Sequence, residues 1–316
     1  MSEPARKRGW LDVAEVGSVW GIRFVVMLCA LFGRGAARAF LRALVFYYVL
    51  FHAGARAASR AYFRRMALSY PDSVTDAVDA DGRARFFTIY RHFTSFAEVA
   101  LDRLLLAAGK TELFEVTSNG REYLEQLTRE KRGALLLGAH LGSFEAMRLG
   151  ATTQSLPINM VVNFSNAQHM QSVVDQLDAN NQTRFISVAG SPLDFVLRIR
   201  ECIERGEMVA ILADRVGPDA RETRANFLGA SARFASGPFI LAAALRCPVY
   251  LTFGLYRGDN RYDLYCEPFA EAIELPRKAR EQALADTVQR YADRLAAYVH
   301  KAPFNWFNFY DFWSET

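Results

Sequence analysis

The sequence lacks most of the signatures that assign a chemistry directly. Its 316 residues hold four cysteines (Cys29, Cys202, Cys247, Cys266), scattered and without a C-x-x-C pair. That excludes a zinc ribbon or disulfide framework and suits a reducing compartment. There is no G-x-S-x-G nucleophile elbow, no P-loop, no G-x-G-x-x-G and no H-E-x-x-H. His52, His92, His169 and His300 are far apart and show no metal-ligand spacing, so no metal site is expected. Collagen periods, heptad arrays and low-complexity tracts are also missing. With 51% hydrophobic and 23% charged residues, intrinsic disorder is excluded. A mean hydropathy of -0.00 is high for a soluble enzyme and low for a polytopic transporter.

Charge is present but unevenly placed. Residues 1–65 carry 11 Lys or Arg against three acids, whereas the remainder carries 27 basic against 31 acidic side chains. A basic arm of this kind can bind nucleic acid. Here the arginines are interleaved with apolar runs, which points to lipid and gives no reason to expect nucleic acid. Two such runs stand out, Ser18 to Gly33 and Ala39 to Gly54, each interrupted by one arginine (Arg23, Arg42). Both are shorter than the roughly 20 apolar residues of a spanning helix. No cleavage-like site follows, so a signal peptide is not expected. Clustered arginines suit anionic headgroups, and Trp10, Trp20, Tyr47 and Tyr48 suit the interface. The expectation is a membrane-attached helical hairpin, or one tilted span with an interfacial helix; buried core helices are the alternative.

After Ser69-Tyr70-Pro71-Asp72, apolar positions at three- and four-residue spacing predict a long helix over Gly82 to Ala108. Short apolar runs then predict strands at 134–139, 158–163, 184–189, 208–213, 248–253 and 262–267. Helices are expected over 143–153, 167–180, 192–205, 237–246 and 277–300. Near-continuous apolar strands between helices argue for an α/β fold with a largely parallel central sheet flanked by helices. The last two strands, joined by Arg257-Gly258-Asp259-Asn260, should form an antiparallel hairpin at one edge. The aromatic tail Pro303 to Tyr310 should dock on the body or the bilayer. The division expected is therefore 1–68 as N-terminal membrane-associated helices and 69–316 as one α/β catalytic domain.

The segment Leu135 to Glu145 (LLLGAHLGSFE) reads as a buried strand, a glycine-containing turn and a helix that Ser143 can cap. His140 then stands where a parallel strand ends, the usual place for ligand binding in open α/β sheets. From the turn, His140 can be met by the Glu145 carboxylate folding back. Such a partner fixes the ring tautomer and makes the other nitrogen a general base. A locally bonded histidine with a solvated glutamate is the alternative. Asn163 and Asp214 end predicted strands on the same side as His140. Arg215 and Arg233 can read a phosphate on substrate or carrier; Asp214 with Arg215 can equally form a structural ion pair.

The His140–Glu145 spacing resembles the H-x4-[DE] motif of lysophospholipid and glycerolipid acyltransferases. Further landmarks are Arg205 to Arg215 (RGEMVAILADR), Phe227-Leu228-Gly229, Ser236-Gly237-Pro238 and the tail Pro303 to Phe309. With these, nearly the whole chain resembles the lipid A biosynthesis (lauroyl/myristoyl) acyltransferase family. The resemblance implies a His140–Glu145 catalytic dyad and an acyl thioester of acyl carrier protein or coenzyme A as co-substrate. It implies a membrane lipid acceptor, and no cofactor beyond the thioester. Two departures concern the acceptor: Asp214-Arg215 stands where the family commonly has Asp-Gln, and the tail reads Asn308-Phe309-Tyr310-Asp311 where basic residues are usual.

The expected protein is thus an O-acyltransferase at the cytoplasmic face of the inner membrane. It would pass a fatty or polyene acyl chain to a lipid hydroxyl, with acyl carrier protein a partner. A catalytically silent lipid-binding protein of the same fold, or an acyl-thioester hydrolase, are the rivals.

Overall fold

The computed structural model of the chain describes residues 19–79, 81–147, 158–162, 184–188, 191–217 and 220–313. The body of the molecule is built on a seven-stranded sheet. Its strands are β1 (Glu115–Asn119), β2 (Ala134–Gly138), β3 (Ile158–Val162), β4 (Arg184–Ser187), β5 (Met208–Leu212), β8 (Val249–Gly258) and β9 (Arg261–Ala270). Their spatial order is β1-β9-β8-β2-β5-β3-β4, and only the β8–β9 pair is antiparallel. A separate antiparallel hairpin, β6 (Glu222–Phe227) and β7 (Ala230–Ala235), completes the strands. β2 is buried along its whole length, as a central strand covered on both faces requires.

The helices are α1 (Val19–Phe51), α2 (Ala53–Ser69), α3 (Phe86–Ala107), α4 (Arg121–Arg129), α5 (Pro192–Glu204), α6 (Gly237–Leu245) and α7 (Arg280–Lys301). The fold is α/β, as the alternating apolar runs predict. The helices expected over 143–153 and 167–180 fall largely or wholly outside the described residues, though 144–147 form a first helical turn. Two features differ from expectation. The β8–β9 hairpin is not the edge of the sheet, because β1 adds in parallel along β9. The β6–β7 hairpin was not expected at all. β1 is polar, with a single half-buried residue; the β6–β7 pair sets Arg224 opposite Arg233 yet buries Phe227, Ala232 and Phe234 in the core.

The two N-terminal helices belong partly to the core. Tyr62, Phe63 and Met66 of α2 lie in the main hydrophobic cluster with Leu135, Leu137 and Trp306. In α1, Gly33 adopts φ 79, ψ 170 and divides the helix in two. The second half is pinned to α3 by ion pairs. Arg34 pairs with Asp102, while Arg38 and Arg42 reach Glu98 at 2.9 and 3.2 Å. These three arginines therefore serve buried carboxylates, where headgroup contacts were expected. Many of α1's large apolar side chains remain exposed, among them Trp20, Met27, Leu31, Phe32 and Phe51.

Candidate active site

Strand register decides which residues meet. Gly138, the last residue of β2, is paired with Leu212, the last residue of β5. Two residues beyond each lie His140 and Asp214, so equal overhangs bring them side by side. The His140 ring places Nδ1 2.7 Å from Asp214 Oδ1, and its own backbone N–H donates to Asp214 Oδ2 at 3.1 Å. Asp214 is fully buried. Its Oδ2 also accepts from the Asn308 amide at 2.9 Å and the Trp306 indole at 3.3 Å.

The C-terminal tail holds this turn from outside. Phe307 N–H donates to the His140 carbonyl and Gly142 N–H to the Asn305 carbonyl, both at 2.8 Å. On the other side, Ser143 N–H donates to the Gly254 carbonyl of β8 at 2.7 Å. The packing is so close that a Cβ on Gly142 would lie 1.9 Å from the Gly254 oxygen, and Gly142 also needs φ +70. Ser143 Oγ accepts from Ala146 N–H at 3.0 Å, the capping geometry expected for it. Phe144 and Glu145 head the following helical turn, where the first N–H groups have no partner within the helix.

Electrostatics sort the charges. Burial alone would raise the Asp214 carboxyl; the His140 charge and hydrogen bond, with Arg215 and Asn308, outweigh it and hold Asp214 well below the usual carboxylate range. Burial of the imidazole, then the nearby Arg215 guanidinium, pulls His140 below its ordinary value against the opposing pull of Asp214. The result is an ionised acid on Nδ1 and a neutral ring. With the proton on Nδ1, Nε2 presents its lone pair, and the ring is about one quarter exposed (28%).

The other expected site residues fall as follows. Glu145 lies five residues from His140, and its Oε1 sits 2.7 Å from Arg103 Nε of α3. The carboxylate on Nδ1 is thus that of Asp214. Asp214 is also placed differently from its expected part in substrate binding, since both oxygens are occupied inside the protein. Arg215 extends along the tail, donating to Asn308 Oδ1 at 2.6 Å and the Phe307 carbonyl at 2.7 Å. Arg233 is on the β6–β7 hairpin, 3.4 Å from Glu222. Asn163 lies outside the described residues. Among the described residues, no group of three His, Cys, Asp or Glu side chains could hold a metal ion.

Trp306 and Asn308 were missed as site residues. The tail's aromatic content announced docking, but its contacts are 92 and 94 residues away from Asp214 in sequence. A further tail contact comes from His92, whose Nε2 meets the Trp306 carbonyl at 3.0 Å and whose Nδ1 meets the Ser59 hydroxyl at 3.0 Å. Burial lowers His92 to about 4, so it is a neutral core histidine.

Beside the sheet lies an apolar cavity of about 340 Å³, lined by Val161, Val196, Ile211, Ile240 and Leu241 among others. Ile211 is three residues before Asp214, so the cavity adjoins the strand carrying the buried acid.

Comparison with curated proteins gives no match. The model of the bacterial lipid A biosynthesis acyltransferase family matches residues 85–315, a stretch that includes His140, Glu145, Asp214 and the tail. The chain belongs to that family, the bacterial lipid A biosynthesis acyltransferases.

Proposed function

We propose that this acyltransferase moves a fatty or polyene acyl chain from a thioester of acyl carrier protein or coenzyme A to a hydroxyl of a membrane lipid. His140 is the general base. The observation that carries this is the 2.7 Å contact of its Nδ1 with the buried Asp214, which leaves Nε2 free to take a proton. Nε2 removes the acceptor hydroxyl proton as the oxygen forms its bond to the thioester carbonyl carbon. The C–S bond then breaks, and the protonated imidazole returns the proton to the departing thiolate. The N–H groups at the head of that helical turn, those of Phe144 and Glu145, suit the negative oxygen of the tetrahedral intermediate.

Glu145 keeps its place in the family motif as a second carboxylate beside the reaction. It is held by Arg103 on the helical turn that follows His140. No covalent acyl-enzyme is needed. Ser143, the nearest hydroxyl, is engaged as a helix cap. The apolar cavity beside β5 suits the acyl chain, and Ala244→Phe at its lining should shift preference toward shorter acyl groups.

The N-terminal helix supports a membrane site of action. Residues 20–51 are long and apolar enough to cross a bilayer by length and composition, and only 11% of the most apolar window is buried. Gly33 argues for dipping in from one face. It breaks the helix, and the half after it is tied to α3 by ion pairs. We place the protein at the cytoplasmic face of the inner membrane, attached through the exposed side of α1.

The test is product analysis with a labelled acyl thioester and lipid acceptor in detergent. The wild-type chain should yield acylated lipid, and folded His140→Ala should yield none. Release of free fatty acid in place of acyl-lipid would make the protein a hydrolase. Transfer by His140→Ala at near-normal rate would remove the base.

A further inference from the structure

A second, polar cavity of about 410 Å³ lies between α1, α3 and the end of α7. Its wall includes four cations from four separate stretches of chain: Arg42, Arg91, Arg257 and Lys301. Glu98 is the single carboxylate in the same wall. It is buried, held between Arg38 and Arg42, and accepts from the Tyr256 hydroxyl at 2.7 Å. Its charge is therefore spent within the protein. Arg257 is engaged by Asp263 at 2.7 Å.

Arg91 and Lys301 are different. Neither has a carboxylate within 4 Å among the described residues. Arg91 lies 4.0 Å over the Phe304 ring, and the Lys301 ammonium lies 4.7 and 4.8 Å from the Tyr298 and Tyr265 rings. Aromatic faces hold these cations in place, and the Lys301 charge also helps to lower the Glu267 carboxyl nearby. Ser95 and Thr94 add hydroxyls to the same wall.

Position narrows the ligand. The rim at Arg42 belongs to α1, where Phe40, Leu44 and Tyr47 are exposed. The Tyr90 hydroxyl donates to the Arg42 carbonyl at 3.1 Å and closes that rim. At its other end the wall contains Asn305, whose carbonyl holds Gly142 beside the catalytic turn. A basic cavity bordered by an exposed apolar helix suits an anionic headgroup whose chains stay in the bilayer.

We infer that the cavity lined by Arg91 and Lys301 binds the phosphate ester of a membrane lipid headgroup. This rests on the membrane-facing reading of α1 and is independent of the assignment of His140 as base. The phosphate of a coenzyme A or carrier-linked donor shares the same chemistry, so the test separates the two sources.

Full-length protein is mixed with phosphatidylcholine vesicles, with and without 20% phosphatidic acid by design, and bound protein is measured by flotation. The variants are Arg91→Gln, Lys301→Gln and the pair. Neutral-vesicle binding reports the apolar helix alone, and thermal melting reports folding. Each substitution should lower the preference for anionic vesicles about 5-fold, and the pair about 25-fold, on the scale of one cation near a charged surface. Neutral-vesicle binding and melting should hold. In parallel, the KM for a coenzyme A thioester should be unchanged. Unaltered anionic preference in the folded double variant would overturn the proposal. So would a raised donor KM with unaltered vesicle preference, which would give the cavity to the donor. Loss of binding to both vesicle types would reflect α1 and overturn the membrane reading beneath it. Conservative Arg91→Lys should retain most of the preference, and its failure to do so while Arg91→Gln has no effect would also contradict the inference.

Discussion

Two of the places where this molecule buries carboxylates give them partners that differ in kind. In the seam between α1 and α3, Asp102 and Glu98 meet the guanidinium groups of Arg34, Arg38 and Arg42. At the strand end, Asp214 meets an imidazole. Guanidinium is charged at every relevant pH, so the seam can only pin helices together. Imidazole changes charge near neutrality, so the same burial at the strand end suits the proton handling proposed for His140. The partner's titratability, more than burial itself, separates structural from chemical use of a buried acid.

The contrast breaks most sharply at Arg34. Arg34→Ala leaves Asp102 buried with only the Tyr262 hydroxyl, 2.6 Å away, and should cost about 3–5 kcal/mol of stability. Transfer rate per folded molecule should stay the same; a melting curve with an active-fraction assay reads both. Loss of rate without loss of stability would erase the distinction.

Glu145→Gln should do the reverse. We expect roughly a 10²-fold fall in kcat, the scale of a carboxylate supporting a general base, with little change in melting. A wild-type kcat would leave Glu145 as a partner of Arg103 only.

His92 sharpens the comparison from the structural side. Its pKa is lowered from 6.5 to about 4 by burial, so the unfolded chain binds the proton more readily. Its stabilising share is complete above about 6.5 and falls by about 1.4 kcal/mol per pH unit on acidification toward about 4. Chemical denaturation of wild type and His92→Phe across that window should show the variant losing this slope. Equal slopes would mean that His92 is protonated in the folded state.

The smallest effect is expected at Arg215. Its guanidinium supports Asn308, which in turn holds Asp214. Arg215→Ala should lower kcat by roughly tenfold, the scale of one charged hydrogen bond, with both KM values steady. A selective rise in KM would return Arg215 to direct substrate contact.

Much of the sheet was legible because its central strands are near-continuous apolar runs, as at 134–138 and 208–212. β1 and the β6–β7 pair were not: Glu115-Val116-Thr117-Ser118-Asn119 has one half-buried residue, and the buried positions of β6–β7 (Ala225, Phe227, Ala232, Phe234) form no continuous apolar run because Arg224 and Arg233 interrupt them. His140 was legible from its turn at a strand end. Its Asp214 partner was not, because local spacing offers Glu145, whereas the contact depends on β2 and β5 being neighbours in register. The arginines of α1 misled for the same reason. Beside apolar runs they read as headgroup contacts, yet Glu98 and Asp102, which hold three of them, come 56 to 68 residues later.

The central claim is that Asp214 holds His140 as a general base, and the pH dependence of acyl transfer by Asp214→Asn tests it most directly. Burial and Arg215 pull His140 below its ordinary value, so wild-type kcat/KM should lose activity only on acidification past that ordinary value and stay level above it. The folded Asp214→Asn protein should be at least about 100-fold slower at neutral pH, because the amide neither enforces the Nδ1–H tautomer nor balances the imidazolium. A variant that folds and transfers acyl groups at the wild-type rate, with an unmoved acid limb, would contradict the account.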